Sequence, residues 1–492
     1  MPDIRTWIAG RTAGTPGAGD STLFVTGGNA RKADLASQYA TVDALDNAVI
    51  GEADLSSVAR VFQVSPPSGG DDRSAIQTAL DAASSAGGGT VQLARGTYLL
   101  ATKNGADGTK HALEIKSNTR LIGAGIGATI VKADDDLAGD TPLIWFKAQH
   151  DIEIAHFTID GNRSRPAAGG EDEGIDGYGG ERFWFHHLRI IECTGDGIDL
   201  DRFEGTGSHV FTDSVLVEDC NGVGLHNAFS YSTTVNCMAF RCGQERALSE
   251  NPVVANDACG MDIKGAYSRL ANCTIINCVR GINIANIEDP QVVGCFVHGS
   301  DQEGLWVGSA GAPANVSVSG SRFIATNGVA AVRLTAAARV IVSDCYINGG
   351  TSTTEAVLID GASNAVVSNC QIVPANAGRG IRVTSAGGVW RVAGCHFLNQ
   401  TGVGIRVEAS DGVVSDCTRY QTTSIALIDI RGPRSNVVVK GCYQASGVVG
   451  VRFLNEGGTP SNCVVVHNHF PDGITAAGTG HTIEQNTPAS AF

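Results

Sequence analysis

A chain of 492 residues is longer than one compact core usually serves, so several domains or a repeat architecture are expected. Its 63 glycines and sparse aromatic and methionine content suit many short strands joined by tight turns. A formal net charge of −15 argues against a protein that wraps nucleic acid by neutralising phosphates, but leaves room for local binding of an acidic polysaccharide.

No apolar run approaches the roughly 20 residues that span a bilayer, so membrane insertion is not expected. The opening Met1-Pro2-Asp3-Ile4-Arg5-Thr6-Trp7 has no charged start followed by an apolar core, so no signal peptide is expected. An outward-acting protein of this kind would leave its cell by another route, such as host lysis.

Residues 1–60 differ from the rest. Thr6-Trp7-Ile8-Ala9-Gly10-Arg11 leads to Thr22-Leu23-Phe24-Val25-Thr26-Gly27-Gly28 and Arg31-Lys32-Ala33-Asp34-Leu35. This stretch resembles the short N-terminal segment of phage tail fibre and tailspike proteins, which implies virion attachment. Thr41-Val42-Asp43-Ala44-Leu45-Asp46-Asn47-Ala48-Val49-Ile50 reads as a short helix that could bundle in an oligomer.

From Ser68-Gly69-Gly70-Asp71-Asp72 a helix is predicted. Asp71 or Asp72 caps it, Ile76, Leu80 and Ala83 form its apolar stripe, and Gly87-Gly88-Gly89 stops it. A strand, Thr90-Val91-Gln92-Leu93, and a turn at Gly96-Thr97-Tyr98 follow. Together with Leu121-Ile122-Gly123-Ala124-Gly125 and Phe157-Thr158-Ile159-Asp160-Gly161-Asn162, this opening resembles the pectate-lyase-like superfamily. The resemblance implies an all-β chain: a right-handed parallel β-helix with an N-terminal capping helix.

A repeat of about 21 to 27 residues then runs to about residue 470, the signature of a solenoid whose coils bury their apolar faces by stacking. Cysteines mark it. From the middle of the chain onward, setting Cys278 aside, they fall at Cys273, Cys295, Cys345, Cys370, Cys395, Cys417, Cys442 and Cys463, with Ser321 in the one double gap. One small, buried-type residue per repeat predicts an internal stack of reduced thiols, not a disulfide framework; without close CxxC pairs, zinc is not expected. The expected domains are 1–60 (attachment and oligomerisation), 61–470 (β-helix) and 471–492 (C-terminal cap or tail).

Gly195-Asp196-Gly197-Ile198-Asp199-Leu200-Asp201 alternates as a half-buried strand, and its neighbours share its shape. They are Gly174-Ile175-Asp176-Gly177-Tyr178, Gly224-Leu225-His226-Asn227-Ala228, Gly260-Met261-Asp262-Ile263-Lys264 and Gly281-Ile282-Asn283-Ile284-Ala285. As stacked strands they present one outward row of Asp176, Asp199, His226, Asp262 and Asn283. A second row would hold Tyr178, Asp201, Ala228, Lys264 and Ala285. A lone Asp-x-Asp reads as solvated surface. Two polar rows over consecutive coils make a patch suited to acid/base chemistry. Gln244-Glu245-Arg246-Ala247-Leu248-Ser249-Glu250-Asn251-Pro252 is expected to be a loop beside it.

Asp160-Gly161-Asn162 through Asp201 resembles the alginate C5-epimerases, whose Tyr-Gly-Phe-Asp-Pro-His strand aligns with residues 196–201. The family's central Asp falls on Asp199; its catalytic Tyr and His fall on Asp196 and Asp201 and are replaced. Exchanging proton-transfer groups for carboxylates favours glycoside hydrolysis, which needs one protonated and one ionised carboxyl. Asp199 and Asp201 are the first catalytic candidates, with Asp176 and Asp262 as alternates. Tyr178, His226, Lys264, Asp196, Glu204, Arg246 and Trp306 are candidates for holding substrate. No cofactor is required, and a calcium ion on Asp176, Asp199 and Asp262 is the alternative that these carboxylates leave open.

The function expected is that of a tailspike-like protein, acting extracellularly from the virion, that binds and depolymerises host surface polysaccharide by hydrolysis. Tail or baseplate proteins are its expected partners and a homotrimer its assembly. The alternatives are a polysaccharide lyase or alginate-type C5-epimerase, and a receptor-binding fibre without catalysis.

Overall fold

The computed structural model describes residues 60–104, 110–165, 172–201, 207–243, 258–285, 287–309, 311–326, 330–350, 355–374, 378–385, 388–398, 402–420, 425–445, 449–475 and 477–486. The expected N-terminal attachment segment and its helix therefore lie outside the described residues.

Each coil of the chain contributes one strand to each of three parallel sheets, and the stacked coils form a right-handed parallel β-helix of about 14 turns. The first sheet carries β1 (Ile144–Asp160), β2 (Ile175–Ile191), β3 (Ile198–Asp201), β4 (Leu225–Asn227), β5 (Met261–Ile263), β6 (Ile282–Ile284), β7 (Leu305–Val307) and β8 (Ala330–Thr335), of which β2 to β7 begin just after a glycine. The long β2 bends through all three sheets, pairing with β3, then with Gly207–Asp213, then with Leu216–Glu218.

Inward side chains stack in columns. Ile175, Ile198, Leu225, Met261, Ile282, Leu305 and Val332 are successive register partners, and all are buried. Burying each such side chain stabilises the fold by about 1.5–3 kcal/mol relative to exposure, and only a neighbouring coil supplies the cover. The initiating glycine is required by close approach: a Cβ on Gly197 would lie 2.3 Å from Val217 Cγ1 and 2.6 Å from the Gly224 carbonyl oxygen.

Helix α1 (Arg73–Ser85) covers the first coils through buried Ile76, Leu80 and Ala83. Asp72 occupies the N-cap position, but its carboxylate accepts from the Ser68 and Leu99 backbone N–H groups and from the Ser68 hydroxyl, tying helix to sheet instead of capping the helix. Gly87, at φ 83°, ends the helix, and the Gly88 N–H returns to the Ala83 carbonyl.

All fourteen cysteines are free and buried, as the repeat predicts, but twelve of them form two inner rows, with Cys259 and Cys463 apart. Cys237, Cys273, Cys295, Ser321, Cys345, Cys370, Cys395, Cys417 and Cys442 follow the corner between the second and third sheets. Cys193, Cys220, Cys242 and Cys278 follow the end of the third sheet. Cys463 is off the row: Val464 pairs with Val438, and Cys442 instead faces Asn468, whose Oδ1 accepts its backbone N–H at 2.8 Å. A left-handed residue precedes each row position, as at Asn236, Asn272, Asp344, Asn369 and Asp416 (φ 54–56°), and turns the chain from one sheet to the next. Strand pairing continues past residue 470, through Ile474–Thr475 and Thr482–Glu484.

Candidate active site

Register on the first sheet sets Trp145, Asp176, Asp199, His226, Asp262, Asn283, Trp306 and Arg333 side by side, one from each of β1 to β8. Successive backbones are about 4.8 Å apart. The predicted first row is therefore present, with an aromatic ring near each end. The second row is shorter than predicted. Tyr178 pairs with Asp201, but β4, β5 and β6 stop one residue earlier, and Ala228 and Ala285 are buried. Lys264 folds back along its own strand, its Nζ 2.9 Å from Asp262 Oδ2.

A further column forms at the bend just before the glycines. The N–H groups of Gly174, Gly197, Gly260 and Gly281 donate to the carbonyls of Asp196, Val223, Arg280 and Glu303. This stacks Glu173, Asp196, Val223, Cys259, Arg280 and Glu303 along the edge of the same face. Asp196 Oδ1 accepts from the Val223 N–H at 2.7 Å, which fixes the carboxylate.

Two clusters result. In the first, His226 Nδ1 lies 3.1 Å from Asp199 Oδ1 and 3.8 Å from Asp196 Oδ2. Beside it, Asn283 Nδ2 donates to Asp262 Oδ1 at 2.9 Å, so Asp262 is held by both Lys264 and Asn283 and its side chain is fully buried. In the second, Glu303 accepts from Arg280 Nε at 2.9 Å and Arg333 Nη1 at 3.1 Å. Both guanidinium groups lie over the Trp306 ring, at 4.6 and 4.7 Å, and the indole N–H donates to Thr335 Oγ1. Trp306 is thus clamped by two guanidinium groups and buried.

Crowding sorts the acids. Burial, then the charges of Asp199, Asp196 and Asp201, pushes Asp176 up to about 8, so it carries a proton at neutral pH. Burial and the neighbouring Asp176, Asp196 and Asp199 raise Glu173 well above the usual carboxyl range. Burial opposes charge on His226, but Asp199 and Asp196 outweigh it and hold the imidazole well above its ordinary value. Tyr178, raised by burial and by Asp176, stays a phenol. The arrangement is a protonated carboxyl one strand away from a carboxylate paired with an imidazolium.

The calcium alternative does not fit, because a charged His226 stands between Asp199 and Asp262, whose strands are roughly 9.6 Å apart. Glu204, Arg246 and the expected loop at 244–252 lie outside the described residues. Sequence reasoning missed Trp145, Glu173, Arg280, Glu303 and Arg333. The signal for three of them was present: each immediately precedes a strand-initiating glycine.

Beyond Arg333 the same face turns basic. Leu358, Arg382, Arg406, Asp429 and Arg452 continue the row, with Arg382 paired to Glu408 at 2.9 Å and Arg452 to Asp429 at 2.8 Å. Burial, with Arg379 and Arg431 nearby, lowers Arg406 to about 10.

Stacked three-strand coils with a polar outward face define a right-handed β-helix protein. The right-handed β-helix region model matches residues 330–487. The rhamnogalacturonase A/epimerase, pectate lyase-like model matches residues 59–305, just over half of the chain, and the chain belongs to that family. Mannuronan C5-epimerase AlgE2 of Azotobacter vinelandii is 35% identical over 139 residues, which is 26% of this chain and 14% of the epimerase. The pre-neck appendage protein of Bacillus phage B103 is 24% identical over 214 residues, 38% of this chain and 24% of that protein. The chain thus spans a minor part of either relative. Among solved structures, the N-terminal fragment of bacteriophage phi29 gene product 12 superposes with a TM-score of 0.58 at 13% identity, covering 92% of this chain and 95% of the fragment. At that identity the likeness concerns the fold.

Proposed function

We propose that this chain is a tailspike-like depolymerase that binds an acidic surface polysaccharide along its first sheet and hydrolyses it between Asp176 and Asp199. The observation that carries the reading is the protonated Asp176, raised to about 8, one strand from Asp199 and its His226 partner. Asp176 donates its proton to the glycosidic oxygen as the Asp199 carboxylate attacks the anomeric carbon and the C–O bond breaks. The Asp176 carboxylate then takes a proton from the water that displaces Asp199 from the sugar, which restores both groups. Their backbones, about 4.8 Å apart and pointing the same way, suit the roughly 5–5.5 Å carboxyl separation of retaining pairs. Asp201 and Tyr178 hold substrate beside them, and Trp145 and Trp306 bound the groove. The relation to a mannuronan C5-epimerase favours an acidic polymer.

The relation to a phage appendage protein supports a virion location, with tail or baseplate proteins as partners and a homotrimer as the assembly. Residues 1–60 then serve attachment, 61–470 the β-helix and 471–492 the C-terminal end. Sedimentation of the purified chain tests the trimer.

A second reading is β-elimination or C5 epimerisation, favoured by the relation to AlgE2 and by Tyr178 beside Asp176 and Asp201. One experiment separates the two. Host capsule or lipopolysaccharide is incubated with the protein, and molar mass is followed by light scattering alongside the ultraviolet absorbance of unsaturated uronates. Falling mass without absorbance, abolished by Asp176→Asn and Asp199→Asn, is expected. Falling mass with absorbance would make the chain a lyase. Constant mass with exchange of the C5 hydrogen in heavy water would make it an epimerase. Binding without either change would leave a receptor-binding fibre.

A further inference from the structure

A second cluster of titratable groups lies away from the first sheet, at the corner between the second and third sheets of the early coils. Ala155 pairs with His186, so His156 on β1 and His187 on β2 are stacked neighbours at the left-handed corner, with φ of 64° and 50°. Their rings are 5.0 Å apart, and the His186 ring meets both edge-on at 5.1 and 5.2 Å. The Nδ1 atoms of His186 and His187 approach to 2.9 Å, and one nitrogen from each of the three residues lies within 4.8 Å of the others.

The surroundings orient these nitrogens. His186 is buried and stacks on Trp184 at 4.0 Å, and its Nε2 lies 3.1 Å from Glu153 Oε1. Arg120 fixes Glu153 in turn, through Nε at 2.6 Å and Nη2 at 3.0 Å. With Nε2–H given to the carboxylate, His186 Nδ1 is left as a lone pair facing the other two imidazoles. A carboxylate behind an imidazole is the arrangement that orients and strengthens a metal ligand.

We propose that His156, His186 and His187 bind one borderline divalent transition-metal ion, Zn²⁺ or its neighbours, clipping two adjacent coils together. Nitrogens on a tetrahedral ion at about 2.0–2.1 Å sit roughly 3.3 Å apart, between the 2.9 Å and 4.8 Å separations present here, so small ring rotations complete the site. Three imidazoles without a carboxylate ligand select Zn²⁺, Ni²⁺ or Cu²⁺ over Ca²⁺ or Mg²⁺. A water fills the fourth position.

The test uses untagged full-length protein, stripped with chelator and titrated with ZnCl₂ by calorimetry, and with CuCl₂ by quenching of tryptophan fluorescence, Trp184 being the ring against His186. One saturable site per chain is expected, with a rise in unfolding temperature on adding Zn²⁺. The site should vanish in the His156→Ala/His187→Ala double variant, weaken by about tenfold to a hundredfold in Glu153→Gln, and persist in Asp199→Asn. Circular dichroism of the metal-free variants controls for folding. Absence of saturable binding at micromolar Zn²⁺ would overturn the proposal. So would binding unchanged in Glu153→Gln and the double variant, or binding lost in Asp199→Asn alone, which would move the ion to Asp196, Asp199 and His226.

Discussion

Asp176 and His226 both hold their protons more tightly in the fold, Asp176 because burial disfavours its charge and His226 because Asp199 and Asp196 outweigh burial. Asp176 binds its proton more tightly folded than unfolded, so between the ordinary 3.8 and about 8 the native state holds a proton that the unfolded chain has lost. Stability therefore falls as pH rises across that window, by up to about 1.4 kcal/mol per pH unit from this group. Urea melts of Asp176→Asn from pH 5 to 8 should show a shallower decline than the parent, with the largest gain in stability at pH 8. His226 acts in the same sense, over a higher window. Its charged form is favoured in the fold, so its contribution is complete below its ordinary 6.5 and is lost only as pH rises through its elevated folded value. Replacing it by Gln strands the Asp199 carboxylate without its partner. His226→Gln should cost about 3–5 kcal/mol if both partners behave as a buried ion pair, read from the same urea melts at pH 6.

At the level of single strands and corners, alternation alone made the outward row from Asp176 to Asn283 readable in the sequence, because a parallel ladder keeps equivalent residues at equal height. The bend column was harder to read. Glu173, Asp196, Arg280 and Glu303 sit where the backbone turns into the sheet, and period-two reasoning says nothing about direction at a bend. Cys463 was misplaced for a related reason: the last cysteine gap matches the others in length, but strand pairing, not spacing, decides which corner a residue occupies. The burial of Asp262 and Asn283 was not legible either, since cover over a face comes from neighbouring chain that a strand's own sequence does not encode. The corners themselves give a clean test. Asn369 sits at φ 55°, and a Cβ on Gly394 at the next corner would lie 2.5 Å from Asn369 Oδ1. Asn369→Val should cost about 1–2 kcal/mol and Asn369→Gly far less, measured as the shift in urea midpoint.

For the molecule as a whole, each coil touches only its neighbours, so stability accrues coil by coil and the candidate site, from Asp176 to Arg333, is independent of distant repeats. Gln371 and His396 are register partners, so excising residues 371–395 joins Cys370 to His396 with every sheet still in phase. The shortened chain should fold, with a modestly lower melting temperature and polysaccharide cleavage within about twofold of the parent. An insoluble product would mean that the coils are not interchangeable.

The inner cysteine rows also decide how the chain meets oxygen. A disulfide needs Cβ atoms about 3.5–4.5 Å apart, and stacked parallel strands hold equivalent Cβ atoms about 4.8 Å apart. The thiols of neighbouring coils touch, yet the ladder spacing keeps them from bonding. Unfolded, the same fourteen cysteines are unconstrained and would cross-link at random in an oxidising medium. The chain should therefore fold cleanly only under reducing conditions, and once folded its buried thiols should resist air, which free-thiol titration of protein refolded in each medium measures.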